Sequence, residues 1–439
     1  MIEDDRGTLR AVAWSELFPW LILFRCFRLS IGLRPLLIST VAAVAMILGW
    51  SLFGLVFSGN AEVASQHTAY AGCPWNTFAA VADTPSLMPT HVSAVDASGP
   101  EAEGSIVHRD TNPIVGTWEH LSRPFREVFT LNMGVGKKFE SSKLAYSLLC
   151  SLWALVVWAF AGAAVTRDAS VQLACGERIG WGGMIGYAKS RWKAYAWAPL
   201  LPLLGVLVGV VFVAVLGLLL MRFNMGLLIA AIIWPLILGC GFLMTLLLLG
   251  LAFGWPLMFA TISSEGTDSF DALSRSYAYV FQRPLHLLFY VIVVTAVGVL
   301  GWFVVFGFAQ TVLALTQGAA CWGSGGQFVF ATEPLPHVAY EFASGNSTSH
   351  LGWLGELLIC TWSDCVRLLA VGYLYSYFWV AASGVYLLLR RDVDDTELDE
   401  VYLDDYESEE AVGLPEIKKD DAGAPTVNGE DETPLAETE

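Results

Sequence analysis

Four side chains with chemical capability stand near the C-terminal end of this apolar sequence. Glu356, Cys360, Asp364 and Arg367 are spaced at i, i+4, i+8 and i+11, so a helix would carry them as one polar stripe. Carboxylates and a guanidinium at membrane depth commonly contact an ion or a substrate. The alternative is an interfacial helix whose polar face lies in water, with Asp364 paired to Arg367. We favour this second interpretation.

No other motif indicates a reaction. The sequence has no P-loop, no HExxH zinc motif, no GxSxG turn and no paired CxxC. Five of the six predicted spans lack charged residues in their cores, whereas ion-coupled carriers usually need such groups. Six histidines fall in two outer loops without metal-ligand spacing and are expected to be solvated: His67, His91, His108, His120, His337 and His350. The sequence therefore predicts no enzyme, no cofactor and no metal site.

The stretch EGTDSFDALSRSYAYVFQRP, residues 265–284, carries the clearest local signals. Asp268 is suited to cap a helix with Asp271 at its third position. Asp271 and Arg275 have the favourable order for an ion pair four residues apart. Five apolar residues fall on one stripe of that helix: Phe270, Leu273, Tyr277, Val280 and Phe281. The pattern predicts a short helix in the membrane interface, followed by a span that begins at Pro284.

Composition places the chain among membrane proteins. Hydrophobic residues make up 55% and charged residues 15% of the sequence, against about 25% charged residues in an average soluble chain. The apolar residues form blocks of roughly the 20 residues that a bilayer core requires. We therefore predict an all-α, polytopic membrane protein with six transmembrane helices, near residues 35–57, 144–165, 199–220, 227–253, 285–316 and 368–389.

The distribution of Lys and Arg predicts the orientation. These residues concentrate in segment 1–34, in the two loops that carry predicted interfacial helices, and at Arg390 and Arg391. Segment 1–34 is interpreted as an amphipathic stretch on the cytoplasmic leaflet, and segment 58–143 as a long outer loop. The expected location is the bacterial inner membrane, with both termini in the cytoplasm.

The net charge of −17 lies entirely in the C-terminal region. Residues 392–439 contain 19 acids and 2 bases, and the remainder contains 22 of each. No basic surface therefore indicates nucleic acid. Segment 390–439 is expected to be a disordered, removable cytoplasmic tail, because its like charges repel and its apolar surface is small.

Three prolines suggest an internal repeat. Pro35, Pro199 and Pro284 each follow a basic amphipathic stretch at the predicted start of a span, and Trp192 and Tyr277 each lie seven residues before their proline. The chain is thus interpreted as three units of interfacial helix and membrane hairpin, with an insertion in the first. The alternative is coincidence, since proline is common at the first position of helices.

Two cysteines fall in the predicted outer loops, Cys73 and Cys321. An oxidising periplasm would favour a disulfide between them, although their spacing does not show that they meet.

The segments SELFPWLILFRCFRL and EGTDSFDALSRSYAYVFQRP resemble an uncharacterised family of bacterial multi-pass membrane proteins. More remotely, the second segment is similar to the loop before a span in the membrane domains attached to glycerophosphodiester phosphodiesterases. This chain contains no phosphodiesterase domain, so the resemblance implies a membrane fold and no catalytic residues.

Three classes of function remain open. The first is a non-catalytic membrane-organising or scaffolding protein that acts on the lipid bilayer or recruits a cytoplasmic partner through its loops and tail. The second is a transporter or permease subunit whose segments 184–195 and 268–281 dock a cytoplasmic ATPase, although only Ala174 and Gly176 match the permease loop motif. The third class is an intramembrane enzyme. We rank it last because the sequence shows no set of a nucleophile with a base and no metal-ligand set. We favour the first class.

Overall fold

The computed structural model describes residues 18–57, 63, 112–133, 141–324, 350–403, 417–419 and 425–427. Within these residues the chain is helical apart from turns, short connections and two antiparallel three-residue strands, β1 (Ile417–Lys419) and β2 (Pro425–Val427). The helices are α1 (Ile22–Ser30), α2 (Leu33–Val56), α3 (Pro113–Met133), α4 (Ser141–Ala174), α5 (Trp181–Leu220), α6 (Asn224–Glu265), α7 (Ser269–Gln282), α8 (Pro284–Gly323) and α9 (His350–Asp394).

Helices α2, α4, α5, α6, α8 and the 361–394 part of α9 are long and apolar enough to cross a bilayer. This confirms the predicted all-α, multi-pass architecture. Helices α5, α6 and α8 have 40, 42 and 40 residues, so they run well beyond the predicted spans. An apolar window marks only the part that needs hydrocarbon, whereas a helix continues wherever its outer turns find packing partners.

Pro199 does not begin a helix, contrary to the prediction from the proline spacing. Helix α5 begins at Trp181 and contains both Pro199 and Pro202, so the predicted interfacial segment and the following span form one helix. Membrane helices tolerate proline where neighbouring groups satisfy the freed carbonyls. Pro284 is the first residue of α8, as predicted. The proposed three-unit repeat therefore fails at its second unit.

Helix α9 is the centre of the bundle. Its residues 370–389 are all buried, and helices α1, α2, α4 and α8 pack around it. Its tyrosine hydroxyls find partners on those neighbours: Tyr377 donates to the carbonyl of Val294 at 2.6 Å, and Tyr373 to that of Gly298 at 3.5 Å. A bonded hydroxyl avoids the cost of burying an unpaired polar group, so this polar sequence can occupy a core position.

The N-terminal helix α1 packs into the bundle, although the sequence was interpreted as resting on a leaflet. Leu23, Cys26 and Ser30 are fully buried. The carbonyl of Ser30 accepts a hydrogen bond from Ser376 Oγ on α9 at 2.9 Å. The predicted apolar residue Phe24 is half exposed, so α1 contacts both the protein and its surroundings.

The connections distinguish the two ends of the bundle. We call the basal end the one that holds the α4–α5 connection, the α6–α7 connection and residues 395–403. The distal end holds the turn at residues 221–223 between α5 and α6.

Helix α3 belongs to the predicted outer loop and packs between α4, α8 and α9. His120 on this helix is partly buried, contrary to its expected solvation. Its ring centroid lies 5.3 Å from that of Trp50, and its Nδ1 lies 2.8 Å from the Tyr375 hydroxyl. Burial, reinforced by the nearby positive charge of Arg123, lowers the pKa of His120 to about 4.

Acid should therefore destabilise the packing of α3. The pKa of His120 lies near 4 in the folded chain and near 6.5 when unfolded. The unfolded state thus binds the extra proton between these values, so the free energy of unfolding falls as pH falls from about 6.5 to 4, by about 3 kcal/mol. Thermal unfolding in detergent across this range measures the loss. A His120→Gln variant should show a smaller slope, and an equal slope in both proteins would contradict the assignment.

Candidate functional site at the basal end

The α6–α7 connection is a tight turn with a cap on each side. Gly266 ends α6 with a φ of 64°, a left-handed conformation that glycine adopts without strain. A Cβ on Gly266 would also lie 2.6 Å from a ring carbon of Tyr402. The backbone N–H of Asp271 donates to Asp268 Oδ1 at 2.9 Å, which confirms the predicted cap at the start of α7.

Glu265, the last residue of α6, is the electrostatic centre of this end. Its carboxylate lies 2.6 Å from Arg275 Nη1 and 3.3 Å from Arg390 Nε, and it accepts a hydrogen bond from the Tyr386 hydroxyl at 2.5 Å. The predicted pair of Asp271 with Arg275 is present at 3.5 Å. The side chain of Glu265 is only 9% exposed, against 45% for Asp271. The buried carboxylate, which sequence reasoning missed, is therefore the stronger partner of Arg275.

Helix α9 ends in acids that bind tyrosines of two neighbouring helices. The hydroxyl of Tyr290 on α8 donates to Asp392 Oδ2 at 2.7 Å, and that of Tyr279 on α7 donates to Asp394 Oδ2. Hydrogen bonds to ionised groups are stronger than neutral ones. These contacts hold α7 and α8 against the end of α9.

Residues 395–403 fold back onto the bundle, so the predicted disordered tail does not begin at residue 390. The N–H of Tyr402 donates to the carbonyl of Ser264 at 2.8 Å, and the guanidinium of Arg390 donates to the carbonyl of Glu400. Leu398 and Val401 pack against the core. Helix α9 itself continues to Asp394. The acidic composition misled the prediction because these particular residues meet tyrosine, arginine and apolar partners.

Arg167 joins this segment to the core and is fully buried. Its Nη1 donates to the carbonyls of Ser263 and Tyr402, each at 2.7 Å, and its guanidinium lies 4.4 Å from the ring centroid of Tyr187. A guanidinium can be buried when its donors and its face are both satisfied. The predicted span ended at Val165, and no local pattern indicated that the charge of Arg167 lies inside the bundle.

The predicted apolar stripe of α7 is packed against the protein in its middle and exposed at its ends. Tyr277 packs into α6, where its hydroxyl donates to the carbonyl of Leu247 at 2.5 Å, and Leu273 is partly buried against the core. Phe270 and Phe281, in contrast, are 69% and 44% exposed. Trp192, the predicted counterpart of Tyr277 on α5, stacks on Phe160. The stripe therefore anchors α7 at its middle and leaves aromatic rings exposed at both ends.

Gly250→Ala should displace α7. A Cβ at Gly250 would lie 2.4 Å from Tyr277 Cε1, a distance that requires the tyrosine or its helix to move. Overpacking of this kind costs about 1–3 kcal/mol, and thermal unfolding measures it. Gly239→Ala on the same helix meets no atom within 4 Å and should be neutral or stabilising. Equal melting temperatures for the two variants would show that α7 does not depend on this contact.

Exposed aromatic and basic residues surround the basal end. Helices α1 and α5 each present at least one exposed large apolar residue beside an exposed base, and the end of α7 presents Phe281 beside Arg283 in the connection to α8. These residues are Phe24, Arg25, Arg28, Trp181, Ile185, Lys189, Phe281 and Arg283. We refer to this set as the basal belt. It combines rings with cations, as residues at a membrane–water boundary commonly do.

The predicted polar stripe lies on α9. Arg367 Nη1 and Asp364 Oδ1 are 3.1 Å apart, and both side chains are partly buried. The pair expected in the second interpretation is therefore present. Glu356 and Cys360 are in the same helix, but their side chains lie outside the described set. In the part of the chain that the structure describes, no group of three His, Cys, Asp or Glu side chains could hold a metal ion.

The predicted disulfide remains a prediction. Cys321 lies in the last turn of α8, whereas Cys73 lies outside the described residues.

Fold and site together define an all-α multi-pass membrane protein whose basal end is held by ion pairs around the nearly buried carboxylate of Glu265. Comparison with protein-family models, with curated proteins and with solved structures found no match. The resemblance to the bacterial membrane family stated above therefore stays a prediction.

Proposed function

We propose that this chain is a non-catalytic membrane-organising or scaffolding protein of the bacterial inner membrane, with its basal end and both termini in the cytoplasm. The observation that carries the proposal is the basal belt. Its aromatic residues, such as Phe24 and Phe281, are exposed beside Arg25, Arg28 and Arg283. The belt is an arrangement suited to contact with anionic lipid headgroups.

The energetics favour recruitment of such lipids. A base near an anionic membrane surface contributes about 1 kcal/mol, so the several bases of the basal belt together give a preference for anionic lipid that exceeds thermal energy. Rings inserted beside them displace lipid from one leaflet only. Glu265 links α7 to α6 and α9, and Arg167 lies against Tyr187 of α5. Helix α1 is held on α9 by the hydrogen bond from Ser376 to the carbonyl of Ser30. A rigid belt of this kind can order the surrounding lipids or present a fixed surface to a cytosolic protein.

The orientation follows from the same charges. The described bases lie mostly at the basal end, whereas the turn at the distal end carries Arg222 alone, and positive residues favour the cytoplasmic side. Reporter fusions at Lys189 and Arg222 test this arrangement. An outside location for Lys189 would contradict it.

The alternative is a transporter or permease subunit coupled to a cytoplasmic partner. That function requires segments 184–195 and 268–281 to dock an ATPase. In this chain Met184, Tyr187 and Tyr195 are buried in the core, as are Ala272 and Tyr279. Less exposed surface of each segment is therefore available to contact a partner, which supports a scaffolding function over a permease function.

The decisive experiment compares lipid organisation with transport. The protein would be reconstituted in vesicles with a fluorescent anionic lipid, and enrichment of that lipid around the protein would be measured. Replacing Phe281 by Ser together with Arg25 and Arg28 by Gln should reduce the enrichment. Phe223→Ser, at an exposed residue of the distal turn, is the matched control and should not.

Transport is measured in the same vesicles. Saturable uptake of a solute that Asp364→Asn abolishes would overturn the scaffold and favour the transporter.

A further inference from the structure

A cavity of about 350 Å³ lies between α3, α4, α5 and α6, separate from the basal belt. Its wall is apolar: Phe125 comes from α3, Trp158 from α4, and Leu251, Trp255 and Phe259 from α6. An apolar cavity offers water no hydrogen-bond partners, and such cavities bind small apolar molecules. The chemistry of the wall therefore selects a hydrocarbon ligand.

The cavity is elongated along α6. Leu248, Leu251, Trp255 and Phe259 line it at i, i+3, i+7 and i+11, which places them on one face of the helix. Eleven residues of α-helix extend over about 16 Å. A cavity of roughly 150 Å³ is sufficient for benzene, so the volume here has room for about a dozen carbon atoms. This length and volume suit an extended chain better than a compact ring.

One cation stands at the rim. Arg126 lines the cavity together with Ser122, and its side chain is 46% exposed. Its Nη2 binds the side-chain and backbone oxygens of Glu119 at 3.1 and 3.4 Å. The guanidinium carries further donors in a fork that matches phosphate geometry. A charged headgroup beside Arg126 would thus complement a chain inside the cavity.

The surfaces next to the cavity indicate where a hydrocarbon ligand would come from. Leu204 and Leu207 on α5, and Leu243 on α6, are about half exposed or more, and in membrane-spanning helices such surfaces face lipid. Bilayer lipid is therefore the hydrocarbon next to the cavity. We propose that the cavity binds one acyl chain of an anionic phospholipid, with its phosphate at Arg126. The site is independent of the basal belt, so its failure would leave the proposed function untouched.

Photolabelling tests the site directly. The full chain would be placed in lipid nanodiscs that contain phosphatidylglycerol with a photoreactive group in its acyl chain, and labelled residues would be mapped by mass spectrometry. Label on the wall residues Leu155 and Leu251 should exceed label on the outer residue Leu243. Equal labelling of wall and outer residues would overturn the proposal.

Two variants test the contributions of the acyl chain and of the headgroup separately. Ala252→Phe fills the cavity and should reduce wall labelling roughly tenfold, whereas Leu243→Phe, the same side chain on the outer face, should not. Arg126→Gln should reduce labelling by phosphatidylglycerol roughly tenfold, as loss of a charge-assisted bond predicts, and leave labelling by a diacylglycerol probe, which has the acyl chains but no phosphate, unchanged. Unchanged wall labelling in folded Ala252→Phe would overturn the chain site. If Ala252→Phe does not fold, the Arg126→Gln comparison and the labelling map of the wild-type protein test the proposed lipid site.

Discussion

Glu265→Gln should destabilise the protein by about 3–5 kcal/mol, the usual effect of removing one member of a buried ion pair. The substitution keeps the shape of the side chain and removes its charge. Arg390, whose side chain is 11% exposed, would then lose its buried counter-charge, and Arg275 would keep only its more distant contact with Asp271. Because Glu265 ends α6 while Arg275 and Arg390 belong to α7 and α9, three helices would loosen together.

The matched control for this prediction is Asp271→Asn. Asp271 contacts the same Arg275, but its side chain is 45% exposed, and exposed pairs contribute about 0–1 kcal/mol. Thermal unfolding of both variants in one detergent compares the effects. Similar losses for the two variants would mean that burial of Glu265 does not govern the stability of the basal end.

Truncation after Arg391 should produce the second large loss. It removes Asp392 and Asp394, which bind Tyr290 and Tyr279, and it removes the Tyr402 carbonyl from the buried guanidinium of Arg167. A buried donor that loses its acceptor costs about 1–3 kcal/mol, more when it is charged. The expected sum is several kcal/mol, which should appear as a markedly lower melting temperature. The expectation that the tail is removable is thereby restricted to residues 404–439.

Truncation after Leu403 is the control and should leave the melting temperature unchanged, since it removes none of these partners.

Thiol labelling of Cys175 provides a second measurement. Burial, together with the negative charges of Glu177 and Asp399, raises the pKa of Cys175, and its Sγ lies 3.7 Å from the carbonyl of Asp399. Truncation after Arg391, which removes residues 395–403, should lower the pKa of Cys175 and speed its labelling near pH 8. Equal labelling rates in the two truncations would show that the segment does not bind the core.

The sequence alone determined the class of fold and several local features. Apolar blocks predicted six spans, because a bilayer core demands a certain length of apolar helix and little else. The Asp268 cap and the start of α8 at Pro284 were also predicted correctly. Each depends on residues within one turn of helix, where backbone geometry alone dictates which side chain fits.

Tertiary structure decided which polar residues are buried. Arg167 and Tyr402 are 235 residues apart in sequence, and Glu265 and Arg390 are separated by more than a hundred, so no local pattern could pair them. The same holds for His120, which the loop assignment placed in water and the fold places against Trp50. A charge or an imidazole is stable inside the bundle only when distant partners converge on it. That convergence is a property of the packed helices, which is why the sequence predicted the spans but not the network that holds their basal ends together.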